Sequence, residues 1–210
     1  MKTKKGEKEK LRGTILDRAI RYFKTHGSGG SGVSSVMKEA GLTTGALYSH
    51  FESKEDLFGE AICRELEQLE QKLFRIFRTE RKNALKVMIE LHFNEAAFQE
   101  VGDGCIFTAL GTDMHRSKAR YRARYEEYTK KIYRLFADAI QEQFPAESPE
   151  SCYERAIFLY SALVGSMTMA RTMKNTETAY AVLAAGKNIL LRDFVAPASA
   201  EAVSLIHRTN

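Results

Sequence analysis

The chain has 210 residues, of which 44% are hydrophobic and 28% charged, and its formal net charge at pH 7 is +5. This length is sufficient for one large or two small domains with a buried core, and the modest positive charge permits nucleic-acid binding without demonstrating it. Few prolines, no tryptophan and long stretches of helical periodicity indicate an all-α protein.

Several functional classes are disfavoured by what the sequence lacks. The N-terminal sequence MKTKKGEKEKLRG has no apolar core of the kind found in signal peptides, and no apolar run is long enough to span a bilayer. The cysteines Cys63, Cys105 and Cys152 are scattered, without zinc-ligand spacing, as is typical of reduced thiols. No nucleotide-binding glycine loop or paired-acid motif occurs. We therefore expect a cytoplasmic protein without a cofactor, and not an enzyme.

The first predicted helix follows a basic N-terminal arm. Its apolar residues recur at spacings of three and four: Leu11, Ile15, Ala19, Ile20 and Phe23. The arm contains Glu7 and Glu9 together with six basic residues: Lys2, Lys4, Lys5, Lys8, Lys10 and Arg12. This pattern has two interpretations. The segment is a mobile arm that contacts DNA phosphates or a minor groove, or it is a solvated leader without a partner.

Two short helical patterns follow, separated by a glycine turn at Gly41. Apolar residues share one face of the first pattern: Val33, Val36 and Ala40. The second pattern, from Thr44 to Phe51, is predicted to bury Leu47 and Phe51. Its other residues face outwards: Thr43, Thr44, Gly45, Tyr48, Ser49 and His50. With Thr43 as a cap and small residues at the helix start, this arrangement predicts a helix-turn-helix whose second helix meets duplex DNA.

The combined motif is similar to the N-terminal domain of the TetR/AcrR family of bacterial repressors. The matching positions are Phe23-x3-Gly27, then Val33-x2-Val36-x3-Ala40-Gly41-Leu42, then Leu47-Tyr48-x-His50-Phe51-x2-Lys54-x2-Leu57. The resemblance is specific over about the first quarter of the chain. Together with the periodic patterns, which predict an all-α fold of about nine helices, it implies a helix-turn-helix domain over 1–53 and a larger helical regulatory and dimerisation domain over 54–210.

Ten residues of the motif are predicted to contact DNA: Ser34, Ser35, Thr43, Thr44, Gly45, Ala46, Tyr48, Ser49, His50 and Lys54. The methyl groups of Thr44 and Ala46 can contact thymine methyls. The resemblance implies phosphate contacts by Tyr48 and His50, and a contact with the DNA backbone by Lys54. Alternatively, Tyr48 is a half-buried core residue, and the two serines only face solvent.

The loop after the first helix departs from the family pattern. Family members usually carry an aromatic or large apolar residue directly after the glycine at Gly27, whereas this chain has Ser28 followed by Gly29, Gly30, Ser31 and Gly32. A glycine-serine run behaves as a flexible coil, so we expect a soft loop.

Beyond the motif, Ser53 is a predicted N-cap for a long helix, with Asp56 three residues later. The apolar stripe of this helix contains Leu57, Phe58, Ala61, Ile62, Leu66, Leu69, Leu73 and Phe77. Further helices are predicted over 83–98, 105–115 and 118–144, with a break at Gly102-Asp103-Gly104.

The last two long patterns, 152–173 and 178–194, are apolar on most sides and must therefore be buried on most sides. Small residues would permit close packing: Gly165, Ser166, Ala170, Ala181, Ala184, Ala185 and Gly186. We expect these helices to form half of a four-helix homodimer interface, as the resemblance also implies. The alternative is an ordinary single-chain core.

A sensor cavity for a small, largely apolar or aromatic effector is expected in the second domain. Its candidate lining residues are Phe74, Met88, Phe93, Phe98, Phe107, Met114, Tyr121, Tyr125, Phe158 and Met167, each of which could equally be a core residue. Along 115–131, three arginines line one face: Arg116, Arg120 and Arg124. Tyrosines line another face: Tyr121, Tyr125 and Tyr128. This pattern indicates a basic solvated face over a tyrosine-edged core, with an anion site as the secondary interpretation.

Cys105 follows Gly104 at a predicted helix start, where the helix dipole would favour a thiolate and permit a redox switch. The alternative is a small buried residue. The sequence and the resemblance together predict a homodimeric repressor that binds a palindromic operator near its own gene and is released by the effector. A redox- or electrophile-responsive regulator, a ligand-independent DNA-binding protein and an activator remain alternatives.

Overall fold

The computed structural model describes residues 2–30, 32–39 and 41–195, and within these ranges the fold is all-α, as predicted. The helices are α1 (Lys2–His26), α2 (Val33–Glu39), α3 (Thr44–Tyr48), α4 (Lys54–Glu80), α5 (Ala84–His92), α6 (Glu95–Gln99), α7 (Ile106–Met114), α8 (Ala119–Gln143), α9 (Pro149–Thr172) and α10 (Thr176–Phe194). A 3₁₀ turn at Arg81–Asn83 joins α4 to α5.

The first three helices form the predicted helix-turn-helix unit. The apolar face of α1 is buried against α2 and α4, with Phe23 completely enclosed. Gly27 and Gly41 have φ angles of 73° and 72°, and this left-handed conformation suits glycine at the two turns. Ala40, expected on the apolar face of α2, lies outside the described residues, as does Ser31.

Three local expectations in this unit are wrong. The backbone is helical from Lys2, so the segment predicted as an arm continues α1; the side chains of residues 2–5 lie outside the described part. Thr43 occupies the N-cap position of α3 with extended geometry, but its side chain makes no capping hydrogen bond. The recognition helix is also shorter than the pattern from Thr44 to Phe51 predicted, because it ends at Tyr48.

The long helix α4 begins as predicted. The Ser53 hydroxyl accepts a hydrogen bond from the backbone N–H of Asp56 at 3.1 Å, which confirms the cap. Apart from the half-buried Leu69, the residues of the apolar stripe are buried from Leu57 through Leu73, so α4 contributes to the core of both halves of the molecule. The helix predicted over 83–98 is divided instead, because Asn94 caps a separate α6 through a 2.7 Å hydrogen bond from the Ala97 N–H.

In the C-terminal half, α8 packs against α4 and α9, and α10 packs against α9. Although α9 and α10 contribute to the core, they leave large apolar side chains exposed: Ile157, Phe158, Met169, Tyr180 and Ile189. A single chain therefore does not bury these helices on all of their apolar sides. In the described part of the chain, no helix is both long and apolar enough to cross a membrane.

Candidate DNA-binding surface and ligand cavity

The outward face of α3 is held in place by one buried anchor. Leu47 is fully buried, whereas Thr44 and Gly45 are exposed and Tyr48 is 64% exposed. This exposure rules out the half-buried core interpretation of Tyr48. Ala46 is half-buried and packs against the core, so less of its side chain is free to contact a base edge. After the helix, the Ser49 hydroxyl donates to the Ala46 carbonyl at 2.8 Å.

His50 is half-buried at the edge of this face, and its Nδ1 atom has no hydrogen-bond partner among the described residues. Desolvation, followed by the nearby charges of Lys8 and Arg12, lowers the pKa of His50 below its ordinary value. The ring is therefore neutral at pH 7, where one nitrogen can donate a hydrogen bond to an acceptor such as a phosphate oxygen. Arg12 lies over the Phe51 ring at 4.8 Å, so the basic part of α1 borders the same surface.

The remaining candidate contacts flank α3. Ser34 and Ser35 are exposed in the first turn of α2. Lys54, in contrast, is half-buried and donates a 2.6 Å hydrogen bond to the Ser28 carbonyl. The Ser28 hydroxyl in turn donates to Asp113 Oδ1 at 2.9 Å. The loop predicted to be soft is thus tied at Ser28 to both α4 and α7.

A buried carboxylate lies next to this loop, at the start of α4. Asp56 is 1% exposed and accepts hydrogen bonds from Lys118 Nζ at 2.7 and 2.8 Å and from the Tyr121 hydroxyl at 3.0 Å. Arg120 also donates to it. Burial raises the pKa of the Asp56 carboxyl, but the hydrogen bonds from Lys118, Tyr121, Ser53 and Arg120 outweigh burial and hold it well below its usual range.

Two of the three arginines predicted to line a basic face along 115–131 are paired with carboxylates. Arg120 is engaged with Asp56, and Arg116 forms an ion pair of 2.8 Å with Asp113. Tyr121, a candidate for the ligand cavity, packs its ring directly over Gly59 of α4, where a Cβ atom would overlap it. Its side chain therefore connects α8 with the start of α4.

A cavity of about 280 Å³ lies between α4, α5, α6, the α6–α7 turn, the start of α7, α8 and α9. Its apolar lining residues are Leu69, Leu73, Ile76, Met88, Leu91, Ala97, Ile106, Phe136 and Leu163. Polar or small residues complete the wall: Glu65, Gln68, Lys72, His92, Asp103, Gly104, Cys105 and Tyr160. No group of His, Cys, Asp or Glu side chains suited to a metal ion occurs in the described residues.

Of the candidate lining residues, Met88 borders this cavity. Five others are buried in the core: Phe93, Phe107, Met114, Tyr121 and Met167. Phe98 and Tyr125 are half-buried, and Phe74 and Phe158 are 53% and 62% exposed. Sequence reasoning missed three polar residues of the wall on α4: Glu65, Gln68 and Lys72. They recur at helical spacing beside the apolar stripe, and this polar interruption was the available signal.

The polar groups of the cavity wall are neutral where they are buried most deeply. His92 Nε2 lies 2.9 Å from the Leu163 carbonyl, and burial lowers the pKa of His92 to about 4. Burial also raises the pKa of the Cys105 thiol. It raises the pKa of the Tyr160 hydroxyl well above its ordinary value. Of the two alternatives for Cys105, the raised pKa favours the neutral thiol of a buried residue, because the effect of desolvation exceeds that of the stabilising contacts at this helix start.

Comparison with known proteins supports the geometry of the N-terminal unit. The model of the family described as bacterial regulatory proteins, tetR family, matches residues 15–61. The HTH-type transcriptional regulator AcrR of Shigella flexneri is 44% identical over 56 residues, 27% of this chain and 26% of that protein. The fatty acid metabolism regulator protein of Bacillus subtilis (strain 168) is 28% identical over 120 residues, 55% of this chain and 59% of that protein. The matches thus span less than two thirds of either relative.

Solved structures extend the similarity in fold to most of the chain. NemR from E. coli in its reduced form has a TM-score of 0.70 at 19% identity, covering 85% of this chain and 96% of that one. FadR from Bacillus subtilis in complex with stearoyl-CoA has a TM-score of 0.64 at 18% identity, covering 87% and 96%. A TetR-family regulator from Agrobacterium tumefaciens has a TM-score of 0.75 at 13% identity, covering 90% and 100%. Residues 15–61 thus form a helix-turn-helix domain of the tetR family of bacterial regulatory proteins, and the similarity in fold extends over most of the chain.

Proposed function

We propose that the protein is a cytoplasmic, homodimeric transcriptional repressor that binds a palindromic DNA operator and is released from it by a small, largely apolar effector. The observation that carries the proposal is the exposed face of α3, on which Thr44, Gly45 and Tyr48 surround the buried anchor Leu47. Its position within a matched tetR-family domain favours DNA as the ligand of this face.

The exposed apolar faces of α9 and α10 support dimerisation. Ile157, Phe158 and Ile189 are large side chains left at the surface, and small residues on the same two helices permit close approach: Gly165, Ala181, Ala184 and Ala185. A two-fold axis through these helices would present two α3 helices to one duplex. Half-sites about one helical turn apart, roughly 34–36 Å or a multiple of it, are then expected.

The cavity supports control by a ligand of limited size. Its volume of about 280 Å³ is near the lower end of ligand cavities, which hold about 300–1,000 Å³. Apolar walls with neutral thiol, phenol and imidazole groups suit a compound that is mostly apolar and has one uncharged hydrogen-bonding group. The similarity to a fatty acid metabolism regulator makes fatty acyl compounds the first class to screen.

Control through Cys105 is the second candidate, because this thiol borders the same cavity and NemR, a structural neighbour, was solved in a reduced form. The raised pKa of Cys105 weighs against it, since the thiolate is the reactive species. A ligand-independent DNA-binding protein would show no change in DNA affinity with any cavity ligand.

The operator can be found by selecting tight binders from a random-sequence duplex library, with the upstream DNA of its own gene tested in parallel. Fluorescence anisotropy at physiological salt should then show about 10³-fold or greater preference for the selected duplex over a scrambled one of equal length. Equal binding to both duplexes would contradict a sequence-specific regulator. An activator would bind equally specifically but raise transcription of a reporter gene.

A further inference from the structure

Lys24 is a buried cation in the last turns of α1. It is 5% exposed, and its Nζ atom donates to Glu65 Oε1 at 2.7 Å and to the Gly104 carbonyl at 3.1 Å. An ammonium group removed from water needs such partners, because an uncompensated buried charge is strongly unfavourable. Lys24 is therefore held in place by these two groups, one on α4 and one on the α6–α7 turn.

Both partners of Lys24 belong to the wall of the cavity. Gly104 is enclosed by Arg171 of α9, whose guanidinium would overlap a Cβ atom at that position. The same guanidinium donates to the Ala97 carbonyl at 2.6 Å and to the Thr108 hydroxyl at 3.0 Å. The turn between α6 and α7 is thus a braced part of the wall, and a shift of this part changes the surroundings of Lys24 directly.

On its other side, Lys24 is close to the DNA-binding unit. It lies three residues before Gly27, where the chain leaves α1 for the loop that leads to α2. Arg21 and Thr25, on the same end of α1, also contact the α6–α7 turn, through the Arg21–Asp103 ion pair and the packing of Thr25 on Gly102. The last turns of α1 therefore rest on the cavity wall.

We infer that Lys24 is a positioning residue that transmits the occupancy of the cavity to the helix-turn-helix. A ligand that displaces Glu65 or Gly104 would release Nζ, and the end of α1 would move with it. This inference rests on the proposed function and adds the route of regulation to it. Because coupling between two sites is reciprocal, DNA binding must also change the affinity of the cavity for its ligand. If Lys24 carries the coupling, bound DNA acts on the cavity wall through the contacts with Glu65 and Gly104.

The reciprocal effect can be measured without knowing the effector. The probe is N-ethylmaleimide, which alkylates Cys105 in the cavity wall, and peptide mass spectrometry gives the alkylation rate with and without a bound duplex. Because the thiol reacts when the wall opens around it, its alkylation rate follows the population of the open arrangement, and bound DNA should change this rate about 5-fold or more in the wild type. In Lys24→Met, the ratio of the two rates should fall close to one.

Arg64→Met is the matched control. Arg64 also joins α4 to α1, through hydrogen bonds of 2.6 and 3.1 Å to Asp17, but neither residue borders the cavity. This variant should keep the ratio of the wild type. The alkylation rate of Cys152, buried in α9 away from the cavity wall, should not change with DNA and so excludes general opening of the fold. A wild-type ratio of one, or an unchanged ratio in Lys24→Met, would overturn the inference.

Glu65→Gln provides a second variant if Lys24→Met does not fold. This variant retains an oxygen acceptor for Lys24 Nζ but removes the negative charge. The ratio of its alkylation rates with and without DNA should therefore lie between the wild-type ratio and one. A ratio equal to that of the wild type would contradict the inference. Any duplex that the protein binds, including a non-specific one at low salt, serves for this measurement. A lack of operator specificity would therefore contradict the proposed function only. The alkylation ratios test the role of Lys24 separately.

Discussion

Tyr48 is the side chain on which the DNA contact can be tested most directly, because it is 64% exposed and its loss leaves the core unchanged. Tyr48→Ala should weaken binding to selected and scrambled duplexes by a similar factor, since a phosphate contact positions the protein without reading sequence. A hydrogen bond to a charged group contributes about 1.5–3 kcal/mol, so about a 10-fold or greater loss is expected in anisotropy titrations.

Phe74→Ala is the control for this measurement, because Phe74 is an exposed aromatic residue on α4. It should bind both duplexes like the wild type. Normal binding by a folded Tyr48→Ala variant would show that α3 does not meet DNA in the proposed orientation.

The ionisation of the Asp56 carboxyl should make the free energy of unfolding depend on pH. Its pKa is depressed in the folded state, so its contribution is complete above the unfolded value of about 3.9 and is lost as the pH falls below that value. Asp56→Asn should lower the free energy of unfolding at pH 7 by about 1–3 kcal/mol, through loss of charged hydrogen bonds. In denaturant titrations, the difference in unfolding free energy between Asp56→Asn and the wild type should shrink as the pH is lowered from about 4 towards 3. A difference that stays constant over this range would exclude this role for the carboxylate.

At the scale of helices, the contact between α4 and α8 depends on one small residue. Gly59 lies under the Tyr121 ring, so Gly59→Ala forces a Cβ atom into occupied space and should lower the free energy of unfolding by about 1–3 kcal/mol. Gly6→Ala is the matched control on α1, where nothing lies within 4 Å. It should be neutral or stabilise slightly, because alanine favours the helix over glycine. Thermal melts would compare the two, and equal effects would contradict the close packing.

The individual helices were easier to predict from the sequence than the cavity that they enclose. The apolar period of α4 and the cap at Ser53 are local properties, and both are present in the structure. The cavity wall, in contrast, combines residues of six helices, α4 to α9, with the turn between α6 and α7. Large apolar residues such as Phe107 and Phe158 have similar local patterns, but one is buried and the other is exposed.

For the whole molecule, the apolar face of α9 and α10 should determine the oligomeric state. Phe158→Arg places a charge where the exposed ring stacks on Phe194 at 6.3 Å between centroids, and burial of that charge in a dimer would be unfavourable. We expect monomers in sedimentation equilibrium and a large loss of operator affinity. Phe74→Arg, at a similarly exposed ring on α4, should remain dimeric. A dimeric Phe158→Arg variant would place the interface elsewhere.

By itself, the sequence determined the all-α class, the helix-turn-helix and the outward face of α3, because these depend on spacings of a few residues between apolar, small and glycine positions. Only the tertiary structure decided which charges are buried and what pairs with them. Lys24 meets Glu65 and Gly104, 41 and 80 positions away, and Asp56 meets Lys118, 62 positions away. The physical reason is that desolvation and hydrogen bonding depend on which helices pack together, and no local pattern specifies that packing.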